Sequence, residues 1–193
     1  MLNSLNIEAT TGEIVKFTSN FMSKVSANAS HGASSYVADN KFTSRTGQLK
    51  LASVVGDLDA ATELDIKSFN ITFEKNTVQD FKTNTLEPEE VLNRQMTITG
   101  SFELNYEDRT HKSDVFDNDI QAMRIKFTGN DTIGAGSNPE LLFEFDRVNF
   151  ESWESDKSLD DITSQTINFT VLYDLDNARA WNNAYLQNVT ANY

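Results

Sequence analysis

At 193 residues the chain is long enough to bury a core as one domain, and its formal charge of -13, from 29 acidic against 16 basic residues, excludes a general grip on phosphate backbones. The absence of cysteine excludes disulfides, thiolate metal sites and thiol nucleophiles. No apolar stretch approaches the ~18 residues of a membrane span, and the opening MLNSLNIEATTGE lacks a basic region followed by an apolar segment, so neither a span nor a signal peptide is expected.

Ile14, Phe17, Phe21 and Val25 fall near helical spacing, whereas Thr18, Ser19, Asn20 and Ser23 are poor helix formers, so this stretch reads as a helix or as an irregular strand. Residues 27–47 turn to Ser, Asn, Gly and Ala with few large apolar groups. Such a segment buries too little surface to offset the entropy of ordering, and a flexible arm or loop is expected. Strands are expected at 49–55 and 64–74; in the second, Leu64 and Ile66 sit out of phase with Phe69, Ile71 and Phe73, which a bulge near Lys67 or Ser68 explains. Residues 75–93 are polar, carry Pro88 and separate two strong strands. They form an inter-strand loop far longer than the usual 2–5 residues, and loops of that length are usually functional.

The clearest element covers 95–108, where Met96, Ile98, Gly100, Phe102, Leu104 and Tyr106 alternate with Gln95, Thr97, Thr99, Ser101, Glu103 and Asn105. That is the period of a half-buried strand. Residues 110–123 place Val115, Phe116, Ile120 and Met123 on one side with acidic residues opposite, the pattern of a short amphipathic helix that packs on a sheet face. Further strands are expected at 123–128, 141–150 and 164–173, the first two joined by the turn-rich GNDTIGAGSNP. Trp153 falls just beyond a strand, as core or hairpin packing. Residues 177–193 hold Trp181, Tyr185 and Leu186 at roughly helical spacing among asparagines, which leaves a helix and a terminal strand both open. The fold class expected is mainly β: a single domain over 1–193, built as a β-sandwich or half-barrel with one short packing α-helix and long loops.

Chemistry-bearing constellations are sparse. His31 and His111 lack second ligands at metal spacing and read as solvated loop histidines. The run Asp108, Asp114, Asp117 and Asp119 lacks the glycine and closing glutamate of a calcium loop and reads as a solvated helix face. GAGS at 134–137 is followed by no lysine, and no GxSxG elbow is present. Carboxylate pairs among Glu144, Asp146, Glu151 and Glu154 arise readily by chance in so acidic a chain. No catalytic, cofactor-binding or metal-binding residue is assigned, and no enzyme activity is expected.

The segments SFNITFEKNTVQDF, RQMTITGSFELNYED, VFDNDIQAMRIKFTG, ELLFEFDRVNFESWE and SQTINFTVLYD, in that order over about residues 65–174, resemble the tail tube proteins of long-tailed bacteriophages and, more distantly, type VI secretion tubes. The likeness is one of strand order and texture. It implies a subunit that assembles with itself, in the host cytoplasm, into stacked and hexameric rings of the virion tail. It further implies a tape measure protein in the lumen, tail terminator and tail-tip proteins at the ends, and DNA that passes through at ejection without being bound. On that reading Gln95, Thr97, Thr99, Ser101, Glu103, Glu144 and Asp146 are candidates to face the lumen. Thr77, Asp80, Lys82, Glu87 and Glu89 are candidates for an inter-ring loop, and both long segments are expected to order only against neighbouring subunits. The alternative is a surface-exposed phage adhesin, decoration domain or carbohydrate-binding β-sandwich module, which calls for an exposed aromatic platform with Trp153 and Trp181 as candidates.

Overall fold

The computed structural model describes residues 1–24, 41–133, 136–156 and 162–188. Strand β1 (Leu2–Thr10) alternates Ser4, Asn6 and Glu8 with Leu5, Ile7 and Ala9, of which Ile7 and Ala9 are buried. β2 (Lys16–Phe21) runs back antiparallel along it, so the first open alternative resolves as strand. Thr18, Ser19 and Asn20 bond readily to a nearby backbone outside helices, and β1 offers them a ladder. Positions 27–40 of the expected arm lie outside the described residues. The chain rejoins β2's entry at Phe42, whose carbonyl accepts from the Val15 amide at 2.9 Å.

β3 (Gly47–Ala52), β4 (Glu63–Leu64) and β5 (Ile66–Glu74) follow. Pairing of β5 slips between Ile66 and Ser68, which is the expected bulge. Residues 75–93 are better organised than expected: β6 (Val78–Asp80) and β7 (Glu90–Leu92) form a separate two-stranded ladder. Asn76, held at φ 50, closes the base by donating from Nδ2 to the Gln95 carbonyl at 2.9 Å.

β8 (Thr97–Asn105) keeps the two-residue period, with Ile98, Phe102 and Leu104 buried and Thr97 and Thr99 exposed. Helix α1 (Thr110–Asp117) is shorter than its hydrophobic pattern suggested. The Asp108 carboxylate accepts from the Thr110 amide at its start. Asn118 then enters the left-handed region at φ 55, and its N–H caps the carbonyls of Asp114 and Val115. Ile120 and Met123 consequently belong to β9 (Ile120–Thr128), and Phe116 is 73% exposed, so Val115 alone of the four packs on the core from the helix. His111 is likewise no solvated loop residue: it lies within α1, edge-on to Phe102, with Nδ1 3.5 Å from the Asp114 carboxylate.

β10 (Glu140–Asp156) runs 17 residues and carries Trp153 inside the strand rather than beyond it. β11 (Ser164–Val171) and β12 (Asn183–Gln187) complete the order, the latter deciding the second open alternative for strand. The strands stand in the sequence β2-β1-β5-β8-β11-β10-β9-β3-β4, all antiparallel, with β12 attached to β10. Slips in β10 at Phe145/Val148 and Phe150/Ser152 bend it, so that its first part pairs with β9 and β12 and its last part with β11. The sheet thereby curls into a half-barrel, and the expected mainly β class with one helix holds.

The core lies inside the curl, where Phe69, Phe102, Phe127, Phe145 and Phe169 are each fully buried. Burial of each contributes roughly 1.5–3 kcal/mol. Gly100 sits in the buried row of β8 because no other residue fits. A Cβ there would stand 2.4 Å from the Asn70 carbonyl oxygen and 2.5 Å from the Phe169 ring. Gly100→Ala is therefore expected to lower stability by about 1–3 kcal/mol through overpacking, read as a lower denaturant midpoint at unchanged slope.

Candidate functional site

Cross-strand register gathers the outward rows of five strands into one polar face. Thr97, Thr99, Ser101 and Glu103 of β8 stand opposite Glu74, Thr72, Asn70 and Ser68 of β5. On the far side Thr99, Ser101 and Glu103 meet Thr170, Asn168 and Thr166 of β11. β5 continues onto Ser4, Asn6, Glu8 and Thr10 of β1, and β1 onto Asn20, Thr18 and Lys16 of β2. Hydroxyls and amides dominate, bonded to one another across the ladders: Asn6 donates to Thr72 at 2.9 Å, Asn20 to Ser4 at 2.9 Å and Asn168 to Ser152 at 2.7 Å. Lys16 is the one basic side chain in these rows, and its Nζ lies 2.5 Å from the Glu13 carboxylate. Against it stand Glu8, Glu74 and Glu103.

The structure therefore brings Thr97, Thr99, Ser101 and Glu103 into one surface and leaves Gln95 exposed just before it. Glu144 and Asp146 are not in these rows. Glu144 stands opposite Arg124 and Asn183, is 6% exposed, and accepts from Arg124 Nε at 2.6 Å and Asn182 Nδ2 at 3.0 Å. Asp146 takes a two-pronged bond from Arg179 at 2.8 and 2.7 Å. Asp146 is thus paired one-to-one within the chain, while Glu144 shares Arg124 with the Asp59 carboxylate, 2.6 Å away, so that trio keeps one net negative charge.

That network anchors β12. Tyr185 donates its hydroxyl to Glu140, which also lies 2.7 Å from Lys126 Nζ. Burial would raise the Glu140 pKa, but the bonds from Lys126 and Tyr185 outweigh it and hold the carboxyl below its usual range. The same bond to Glu140 pushes the Tyr185 phenol up to about 12. A phenol in an unfolded chain ionises near ~10. A raised folded value means stability that is fully present below that pH and lost as pH rises through the folded one. Between roughly pH 10 and 12 the native chain is expected to lose stability faster than a Tyr185→Phe variant, as measured by denaturant midpoints across that window.

The loop candidates divide. Thr77 is 6% exposed, bonded through its amide and hydroxyl to Asn3 Oδ1, and anchors the loop base on β1 rather than facing outward. Asp80 lies on β6, Lys82 pairs with Glu89, and Glu87 is exposed at the tip. Next to them, and not singled out by polarity, Leu86 is 100% exposed and Phe81 more than half exposed. Among the described residues no further strand pairs at the sheet ends: every residue of β2, including Phe17 and Phe21, is exposed, and β4 is only two residues long. Of the two aromatic-platform candidates of the alternative reading, Trp153 donates to Gln165 at 2.9 Å and has Lys112 over its ring at 4.7 Å, whereas Trp181 is 40% exposed and lines an apolar cavity.

The described residues thus form a curled antiparallel sheet with a broad polar face, a fully exposed end strand and a separate ladder carrying exposed apolar side chains. A family model described as phage tail tube protein matches residues 1–176, and the chain belongs to that family. It is thus a structural component of a virion tail that assembles into a tube with other tail components. None of the curated proteins compared with the chain matches it.

Proposed function

We propose that the chain forms the wall of the tail's DNA conduit, as rings of six copies stacked end to end, with the polar face of β8 and its neighbours turned to the lumen. One observation carries this reading: a face five strands wide that presents hydroxyls, amides and carboxylates with Lys16 as its only cation. Lysines and arginines are what make proteins adhere to phosphates, and a wall without free ones lets a duplex slide. Residual negative charge on Glu8, Glu74 and Glu103 repels DNA over a Debye length of about 8–10 Å at physiological salt. The 75–93 loop reaches the next ring, a tape measure protein fills the lumen during assembly in the host cytoplasm, and tail terminator and tail-tip proteins close the ends. The subunit's work is positional and involves no catalysis.

The test is Thr99→Lys with Glu103→Lys in one chain. Tubes are expected to form normally, genome ejection to slow, and added salt to restore its rate. Unchanged ejection from particles shown to contain the double variant sinks the lumen assignment.

A further inference from the structure

We propose that β12 is an exchangeable strand: in the assembled tube, the β12 of one copy pairs with Glu140 to Glu144 of β10 in a neighbouring copy. The inference rests on the self-assembly reading above. In the single chain, β12 pairs with these five residues, on the flank that β11 reaches only from Val148 onward. Removing it would leave that length of β10 with an unpaired backbone edge, the kind of edge that accepts another strand.

What holds β12 is easily undone. All five of its residues are exposed, Tyr185 by 39% and Leu186 by 48%, so burial fixes it only in part, and the rest of its grip is a five-residue ladder and polar contacts. Segments held in this way open at far lower cost than the core. The chain reaches β12 through a turn closed by the Asp174–Arg179 bridge, in which Ala178 takes φ 52. A residue with a Cβ is disfavoured in that region, so straightening the turn relieves strain.

The acceptor is selective for this strand. Glu140 and Glu144, with Asp146 just beyond, line up with Tyr185, Asn182 and Arg179. Beside them an apolar cavity of about 210 Å³, walled by Leu5, Phe73, Met96 and Phe143, is completed by Trp181 and Ala184. The acceptor edge lies inside the matched span 1–176 and the donor outside it. A second copy offers the same contacts in the same geometry, so exchange costs little beyond opening the turn. Proximity within a ring supplies a high effective concentration of donor strands.

The cysteine-free chain permits a direct test. Leu141 and Leu186 stand directly opposite in the β10–β12 ladder and take no part in its polar contacts, and such pairs lie at about 4.5–5.5 Å between Cα atoms, within disulfide range. Full-length Leu141→Cys and Leu186→Cys chains are mixed, assembled and oxidised, then run on a non-reducing gel. A chain carrying both changes is oxidised before assembly. Exchange predicts covalent dimers between the two single variants. It also predicts that the oxidised double variant stays unassembled and polymerises on reduction, which doubles as the control for folding. Tubes with no dimers, together with a locked variant that polymerises unimpeded, overturn exchange and leave the tube reading intact. Dimers without tubes support exchange and count against the tube reading; neither product overturns both.

Discussion

Phe102→Ala is expected to destabilise the chain by about 3–5 kcal/mol, the cost of removing a fully buried aromatic from a core that cannot collapse around the gap. Phe102 is 1% exposed, and its ring lies 6.2 Å from both Phe150 and Phe169 and 6.5 Å from His111. Those neighbours come from β10, β11 and α1, so the cavity would open where helix and curled sheet meet and could not be closed by moving one side chain. Thr99→Ser, three residues earlier on the opposite face, is expected to be nearly silent because it removes one methyl already in water. Denaturant titration of the two variants decides the matter: equal losses would mean that the burial pattern of β8 is misassigned.

Deleting residues 82–88 and joining β6 to β7 by a short glycine turn is expected to leave stability within about 0.5 kcal/mol of the parent and to abolish polymerisation. The removed segment contributes Leu86 at full exposure and the Lys82–Glu89 pair, both outside the core. The base is retained, since Thr77 on Asn3 and Asn76 on the Gln95 carbonyl lie outside the cut. Sizing chromatography and negative-stain microscopy read the outcome; normal tubes from the deleted chain would remove this loop from the assembly contacts. Leu86→Ala alone tests whether the apolar tip, rather than the length of the ladder, carries the contact.

How much of this was legible beforehand depended on whether a residue's environment is set by its own strand or by a distant one. The alternation in β8 and β11 was plain because each strand has one face in the core, and the bulge in β5 showed as a change of phase. β1 carries the same alternation in SLNIEA, but small and polar residues outnumber large ones there and weaken the signal. Phe116 and Ile120 were misplaced because one apolar run serves a helix end, a left-handed turn at Asn118 and the start of β9. A period computed across that junction describes neither element.

The candidate surfaces split along the same line. The row from Thr97 to Glu103 followed from local alternation, and the register then enlarged it with residues from β1, β2, β5 and β11. Glu144 and Asp146 looked like free carboxylates because their partners, Arg124, Asn182 and Arg179, are 20, 38 and 33 residues away. Thr77 reads as an inter-ring loop candidate because its bond to Asn3, which ties it to the loop base, spans 74 positions. Sequence spacing carries no trace of such pairings.

β10 belongs to both halves of the curl, with ladders to β9, β11 and β12 along one unbroken strand. The halves cannot shear or hinge past each other without rupturing hydrogen bonds in series, so each copy behaves mechanically as a stiff block. A long filament of such blocks must still bend. On the proposed stacking, the compliance would then fall on the joints, and the persistence length of the tail would be set by side chains such as Leu86 and Phe81 rather than by the aromatic core within each block.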